Sequence, residues 1–346
     1  MSGPGSPAAL AIVGPTASGK TAISIEVARR LDGEVISMDS RQVYRGMDIG
    51  TAKATPEQRT AVPHHGLDLV DPDERFSAGM FARRARRWIQ EIRGRRRVPI
   101  LVGGTGFFLR ALTNPIFREP DLDPERRAAL RRFLEQQPTE ELERWLSRLD
   151  PELGERFRAG TGGGGRQRIL RGLEMALLTG FPLSWWQRHG EPEAPPVPVQ
   201  VFVLNPPRER LFAAIDARVD EMLRRGLLEE VRALAERGYH GRHPGMNATG
   251  YIELLPVLRG ERDLESAADL VRRNTRAYAK RQLTWLRHQL PPGAVWLDPL
   301  EPGSDPVQRI VEGWLASQEH AGKEHDRYGN PNQARSRETQ EGRDPV

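Results

Sequence analysis

The stretch Gly14-Pro15-Thr16-Ala17-Ser18-Gly19-Lys20-Thr21 fits G-x-x-x-x-G-K-[ST] at every fixed position and constrains the fold more than any other feature of the chain. The residues before it, Ala9-Leu10-Ala11-Ile12-Val13, form an apolar run of buried-strand type. Those after it place Ile23, Val27 and Leu31 four apart, as one face of a helix. Strand, glycine loop and helix in this order make a phosphate cradle. The glycines let backbone N–H groups turn inward on an anion, the helix N-terminus adds partial positive charge, Lys20 supplies a full one, and the Thr21 hydroxyl is of the type that holds Mg²⁺. A polyphosphate ligand follows from this, but the chemistry does not, because kinases, ATPases, GTPases and some group transferases share the loop.

Further apolar runs at 33–38, 98–102, 199–204 and 294–297 read as strands, separated by helical periodicity. The expected fold is therefore α/β, a P-loop NTPase-like parallel sheet with helices on both faces. From 123 to 149 the pattern changes to helices without strands, and it returns to a strand only at 199, so the helices form an inserted all-helical lobe. The expected organisation is a discontinuous core at 1–120 and 199–316, the lobe at 121–198, and a disordered polar tail at 317–346.

Asp39 projects from the C-terminal end of the second strand, where open α/β sheets bind ligands. It is read three ways: a helix N-cap, a carboxylate holding Mg²⁺ waters, or a general base. The polar, glycine-punctuated segment from Arg45 onward, running through Lys53 to His64-His65, is too long for a simple turn and reads as functional or disordered. Adjacent histidines rarely chelate one ion, so structural or substrate-facing roles are expected of them. Gly103-Gly104-Thr105-Gly106 follows the third long strand, and its glycines are expected to permit close backbone approach to a ligand. In the lobe, a glycine-rich hinge at 160–165 leads into a helix with Ile169, Leu173 and Leu177 inward and Arg168 and Arg171 on another side, a pair suited to phosphates. Lys280-Arg281-Gln282-Leu283-Thr284-Trp285-Leu286-Arg287 mixes cations and an aromatic ring, which suits nucleic acid and equally an amphipathic surface helix.

Composition narrows the partner. Lys and Arg number 52 against 47 Asp and Glu, a net charge of +5, which favours an acidic partner such as nucleic acid. Lysine is confined to Lys20, Lys53, Lys280 and Lys323 in an arginine-rich chain, as if kept where a compact ammonium is needed, although biased codon usage accounts for the arginine excess equally well. The absence of cysteine excludes disulfides, Cys-ligated zinc and thiol catalysis. Without a basic leader or an apolar run of spanning length, the expectation is a soluble cytoplasmic protein with no membrane association.

Together these stretches resemble the tRNA dimethylallyltransferase (isopentenyltransferase) family. The resemblance is carried by 14–21; by Asp39-Ser40-Arg41-Gln42-Val43-Tyr44 with Gly50-Thr51-Ala52-Lys53; by Pro63-His64-His65; by Gly103-Gly104-Thr105-Gly106; by Gln167-Arg168 with Arg171; and by Lys280-Arg281-Gln282 with Thr284, Trp285 and Arg287. The resemblance implies transfer of a dimethylallyl group from its diphosphate to the N6 amine of an adenosine 3′-adjacent to the anticodon, in tRNAs reading codons that start with U. Residues 14–21 would hold the diphosphate, with Thr21 on Mg²⁺ and the leaving oxygen, Asp39 as the general base and Arg218 on the diphosphate. Contacts to the tRNA anticodon stem-loop would come from Asp39, Ser40, Arg41, Gln42, Thr105, Arg127, Gln167, Arg168, Ile169, Leu170, Arg171, Lys280, Arg281, Gln282, Trp285 and Arg287. The protein would act as a monomer. Where the family has an Asn-Asp approach to Gln167, this chain has Gly162 to Gly165, implying a looser entry; the lack of cysteine excludes the zinc finger of eukaryotic relatives and points to the bacterial form. A P-loop small-molecule kinase, an adenylate isopentenyltransferase and a non-catalytic RNA-binding module are the rival readings.

Overall fold

A computed structural model describes residues 7–159 and 165–327. The chain divides into two compact units, Met1–Asn114 with Pro196–Val346, and Pro115–Pro195.

The first unit is built on six strands: β1 (Ala9–Val13), β2 (Gly33–Ser37), β3 (His64–His65), β4 (Val98–Gly103), β5 (Val199–Leu204) and β6 (Val295–Leu297), ordered β3-β2-β4-β1-β5-β6. All pairings are parallel, with Leu10 opposite Ile100 on one side and Gln200 on the other. Every residue of β1 is buried, as a central parallel strand covered on both faces requires. Successive side chains then serve different cores. Ala9, Ala11 and Val13 join α3 (Ala78–Gly94) and α4 (Gly106–Thr113) through Phe81, Trp88 and Leu109. Leu10 and Ile12 meet Ile25 and Val27 of α1 (Lys20–Leu31) and Ile310 and Trp314 of α14 (Pro306–Arg327). Helices therefore cover both faces, and the strand ends that carry Gly14, Met38 and Gly103 lie along one edge. The fold class expected from the sequence holds.

β3 is an addition to the expected set. Two residues carry no periodicity, and His64 and His65 become a strand only by pairing with Val35 and Ile36. The paired histidines are structural: His65 Nε2 lies 2.7 Å from Glu34 Oε2, and Glu34 also accepts from Arg95 at 3.0 and 2.7 Å. Burial opposes ionisation of Glu34, but the Arg95 and His65 hydrogen bonds outweigh it and hold the carboxyl at about 2.

The long segment after Asp39 is ordered by a core of its own. Val43, Tyr44, Met47 and Val70 pack with Leu227, Val231 and Leu234 of α11 (Leu227–Glu236) and with Tyr251. Lys53 is buried at its centre, with Nζ donating to Tyr44 O, Asp48 Oδ1 and Asp68 Oδ1 at 2.5, 2.7 and 2.5 Å. Three donors on one compact ammonium meet three oxygens, which explains a lysine in an arginine-rich chain. From α11, Glu230 accepts the backbone N–H groups of Asp48, Ile49 and Gly50 and the Tyr251 hydroxyl.

The second unit contains α5 (Pro124–Gln136), α6 (Thr139–Leu149), α7 (Pro151–Arg158), α8 (Gly165–Thr179) and α9 (Leu183–His189) around Leu134, Leu142, Leu146, Leu170, Leu173 and Met175. Buried Asp150 caps α7 through Leu153 N–H at 3.0 Å and accepts Ser184 N–H at 2.9 Å. Of the glycine-rich hinge, 160–164 lies outside the described residues. α14 continues helical through Ser317, where the onset of a disordered tail was expected, to Arg327; 328–346 lie outside the described residues.

Candidate functional site

The phosphate loop leaves β1 at Gly14, where a Cβ would stand 2.6 Å from Leu204 O and 2.8 Å from Ser18 Oγ, so only glycine lets the chain turn here. Ala17 has φ 63° and Gly19 φ 83°, left-handed conformations that curl the loop backbone. Gly19 precedes α1 without a side-chain cap, so the helix presents its first N–H groups to whatever enters. Ser18 Oγ is buried without a hydrogen-bond partner, an orphaned donor inside the cradle.

Lys20 Nζ folds back to Pro15 O at 2.5 Å. Burial pushes its ammonium down to about 7; the Arg218 guanidinium adds to the fall and the Asp39 carboxylate opposes it. Arg218 projects from α10 (Arg208–Arg224), where its Nη1 donates to Thr16 Oγ1 at 3.3 Å. Its pKa is lowered by burial and raised again by Asp39. Two desolvated cations and one carboxylate thus share a site that is short of negative charge.

Asp39 sits just beyond β2, and no helix begins there, which removes its N-cap reading. Its Oδ1 accepts the Arg41 N–H at 2.8 Å. Ser40 N–H donates to Thr105 Oγ1 at 3.1 Å, so the ends of β2 and β4 are tied together beside the cradle. Tyr278 of α13 (Leu264–Gln289) shares a hydrogen bond with Thr105, and burial first, then the Asp39 charge, push its hydroxyl up to about 12. Sequence reasoning missed Tyr278. It lies four residues before Gln282 and seven before Trp285, a helical face that periodicity could have picked out.

Several residues expected at the RNA are committed to the protein itself. Gln42 accepts from Ser37 Oγ at 2.7 Å and donates to Thr51 O and Ala52 O at 3.1 Å each, bracing the loop. Arg41 Nη1 donates to Pro244 O at 2.8 Å and Asn247 Oδ1 at 2.9 Å. Gln282 is 7% exposed, with both ends of its amide bonded to loops of the site. Trp285 packs against the core beside Phe108 and Leu286. Ile169 and Leu170, at 1% and 0% exposure, are core of the helical unit, as the period of α8 already required; their side chains cannot meet RNA. Lys280, Arg281 and Arg287 are exposed along α13.

The glycines of 103–106 are also reassigned. A Cβ at Gly103 would collide with the Met38 backbone, at Gly104 with the Gln282 amide, and at Gly106 with the Trp285 ring. They admit other parts of the protein, where approach of a ligand was expected.

Within the helical unit, Glu174 is buried and surrounded by guanidinium groups. Arg127 reaches it at 2.8 Å, Arg171 at 2.5 Å and Arg131 at 3.8 Å. Arg127 and Arg171 both turn a second edge to Glu119 Oε1, at 3.0 and 2.9 Å, and Glu119 is half exposed. Gln167 accepts from Arg131.

Among the described residues no group of three or more His, Cys, Asp and Glu is placed to hold a metal. The donor set still suits Mg²⁺, which keeps waters and takes few protein ligands when a substrate supplies phosphate oxygens: the Thr21 hydroxyl lies in the first turn of α1, which follows the cradle of the orphaned Ser18. No helix among the described residues is long and apolar enough to cross a membrane.

Comparison with known proteins converges on one group. The chain matches the IPP transferase family over residues 42–289 and the isopentenyl transferase family over 7–68. It is 43% identical over 291 residues to a tRNA dimethylallyltransferase of Magnetococcus marinus, covering 83% of this chain and 93% of that one. A tRNA dimethylallyltransferase of Syntrophobacter fumaroxidans is 46% identical over 291 residues, covering 83% and 82%. Among solved structures, the full-length tRNA isopentenylpyrophosphate transferase of Bacillus halodurans superposes with a TM-score of 0.65 at 37% identity, covering 92% of this chain and 98% of that one. A eukaryotic dimethylallyltransferase acting on tRNA superposes with a TM-score of 0.75 at 28% identity, covering 90% and 80%.

Proposed function

The chain belongs to the tRNA dimethylallyltransferase family, and on that premise we propose that it transfers a dimethylallyl group from dimethylallyl diphosphate to the N6 amine of the adenosine 3′-adjacent to the anticodon, in tRNAs reading codons that start with U. The products are N6-(dimethylallyl)adenosine and free diphosphate. It is a prenyl-transferring enzyme of tRNA modification. The observation that carries the residue assignment is the convergence on the phosphate loop of Arg218, which donates to Thr16 at 3.3 Å, and of Asp39, at the strand end tied to Thr105 and within electrostatic reach of Lys20 and Arg218.

The loop 14–21 binds the donor's diphosphate through backbone N–H groups, Ser18 Oγ and Lys20. The adenine N6 lone pair forms the new C–N bond at the allylic carbon while the carbon–oxygen bond to diphosphate breaks. The amine is a poor nucleophile because its lone pair is delocalised, but its proton becomes acidic as that bond forms, and Asp39 takes it. The electron pair of the broken bond leaves on the diphosphate, where Lys20 and Arg218 meet the growing charge in a desolvated site. Thr21 would hold Mg²⁺ beside the bound donor, where the ion would supply further charge neutralisation for the departing diphosphate. The Asp39–Ser40 corner, fixed to Thr105, receives the base, which must leave its stack and does so most easily in a single-stranded loop. Lys280, Arg281 and Arg287 on α13 and the arginines of the helical unit bind RNA phosphates. The loop, the base and both cations come from one chain, so the proposed site needs no second copy, in keeping with a monomeric enzyme.

The test mixes protein and Mg²⁺ with dimethylallyl diphosphate or ATP, with and without tRNA. Diphosphate release is expected only with tRNA and the allylic donor together, in equal amount to modified adenosine. ATP turnover on a small acceptor with no prenylated tRNA would make the protein a kinase; prenylation of free adenylate in preference to tRNA would make it an adenylate isopentenyltransferase.

A further inference from the structure

α13 presents cations to solvent at Lys280, Arg281 and Arg287, yet between them it inserts Gln282 into the protein. Gln282 Oε1 accepts the Thr16 N–H at 2.9 Å and Gln282 Nε2 donates to Gly104 O at 3.0 Å. One amide thus links the tip of the phosphate loop to the loop that follows β4. The two bonds require a group that accepts and donates in fixed geometry at one depth. Glutamate could only accept, methionine fills the same space and does neither, and asparagine is a carbon shorter. The contact is built in from the other side as well: Gly104 lacks the Cβ that would collide with this amide, and one turn along α13 Trp285 takes the corresponding place over Gly106. Thr16 is held a second time, through Oγ1, by Arg218 at 3.3 Å. The Thr16 peptide is therefore oriented by α13 and its hydroxyl by α10, while the residues just after it form the anion cradle.

We propose that Gln282 is a positioning residue for the donor: it latches the phosphate loop in its binding conformation from the helix whose outer face meets RNA, and it makes no RNA contact itself. This rests on the reading of 14–21 as a diphosphate site. It separates two functions on neighbouring residues of one helix, Lys280 and Arg281 acting on RNA phosphates and Gln282 on the diphosphate.

The experiment measures calorimetric affinity for inorganic diphosphate with Mg²⁺, and tRNA affinity with its salt dependence, for the unsubstituted full-length protein, Gln282→Met and Gln282→Asn. With two hydrogen bonds lost, Gln282→Met is expected to bind diphosphate roughly 10- to 100-fold more weakly, to raise the KM for dimethylallyl diphosphate in step, and to keep tRNA affinity and salt slope. Gln282→Asn, which keeps the amide but is a carbon too short to make both bonds, is expected to reproduce the split and answers the question if Gln282→Met does not fold. Equal diphosphate binding by all three proteins would overturn the inference and leave the donor reading standing, as would a weakened, flatter tRNA isotherm with unchanged diphosphate binding. Failure of the unsubstituted protein to bind diphosphate would overturn the donor reading and the inference with it.

Discussion

The phosphate loop and the arginine cluster of the helical unit, the two regions proposed to meet anions, are built in opposite ways. In the loop, backbone N–H groups and two desolvated cations face a shortage of negative charge, and Lys20 gives way by falling to about 7. In the helical unit the shortage has been filled in advance: Glu174 balances Arg127, Arg131 and Arg171 from within, and Glu119 bridges the outer edges of two of them. An anion entering the loop completes the site. An anion entering the cluster must displace a carboxylate. The first arrangement suits a small ligand that must be gripped and then converted, and the second suits an RNA backbone that must be released.

The largest effect expected of any single change lies at the loop. Asp39→Asn keeps the size of the side chain and the neighbourhood of Lys20 but cannot take the N6 proton, so single-turnover transfer is expected to fall about 10²- to 10⁴-fold with tRNA affinity unchanged. A near-normal rate would show that the carboxylate is there to balance Lys20 and Arg218 alone.

Next comes the pH response of donor binding. With Lys20 at about 7 in the free protein and raised again by a bound diphosphate, its charge is present in both states below that pH and must be acquired on binding above it. Affinity should then fall by up to about tenfold per pH unit above 7, until the pKa in the complex is passed. Calorimetry at pH 8 in buffers of different ionisation enthalpy should show proton uptake that disappears in Lys20→Met; identical uptake in the two proteins would mean that the proton belongs to the ligand.

The smallest effects are expected in the cluster. Glu119→Gln frees two guanidinium edges, so tRNA should bind more tightly at low salt, with a log–log salt slope steeper by roughly 0.7–0.9 for each phosphate gained. Arg171→Ala should flatten the slope by a similar amount and also lower the melting temperature, because Glu174 is buried and loses a partner. If both variants follow the unsubstituted slope, Arg127 and Arg171 are spent on internal pairs.

Much of this contrast was legible beforehand, and the missing part has a common cause. The loop 14–21, the parallel strands, Asp39 at a strand end and the inserted helices are all local patterns of period and glycine placement. Which groups satisfy which charge is not local: Glu34 finds Arg95 and His65, Glu230 finds the Gly50 N–H, Arg127 finds Glu174 and Arg171 finds Glu119 only after the chain has folded. Gln282 was misplaced for a different reason. Its neighbours Lys280 and Arg281 mark an exposed, cationic helix face, but a helix has two faces, and Tyr278, Gln282 and Trp285 belong to the inner one. Ile169 and Leu170 repeat the lesson inside a motif of arginines: side chains of one short motif alternate between surface and core, so a motif's function does not pass to each of its residues.

The cradle and Asp39 are proposed to work on one acceptor, an adenosine N6 in tRNA. The most direct test of this proposal is nuclease digestion and mass mapping of an unmodified tRNA reading a codon that starts with U, after incubation with the protein, Mg²⁺ and dimethylallyl diphosphate. One dimethylallyl group is expected, on N6 of the adenosine 3′-adjacent to the anticodon, and none when Asp39→Asn replaces the enzyme for a single wild-type turnover time. Unmodified tRNA, or a group attached at another position, would contradict the proposal.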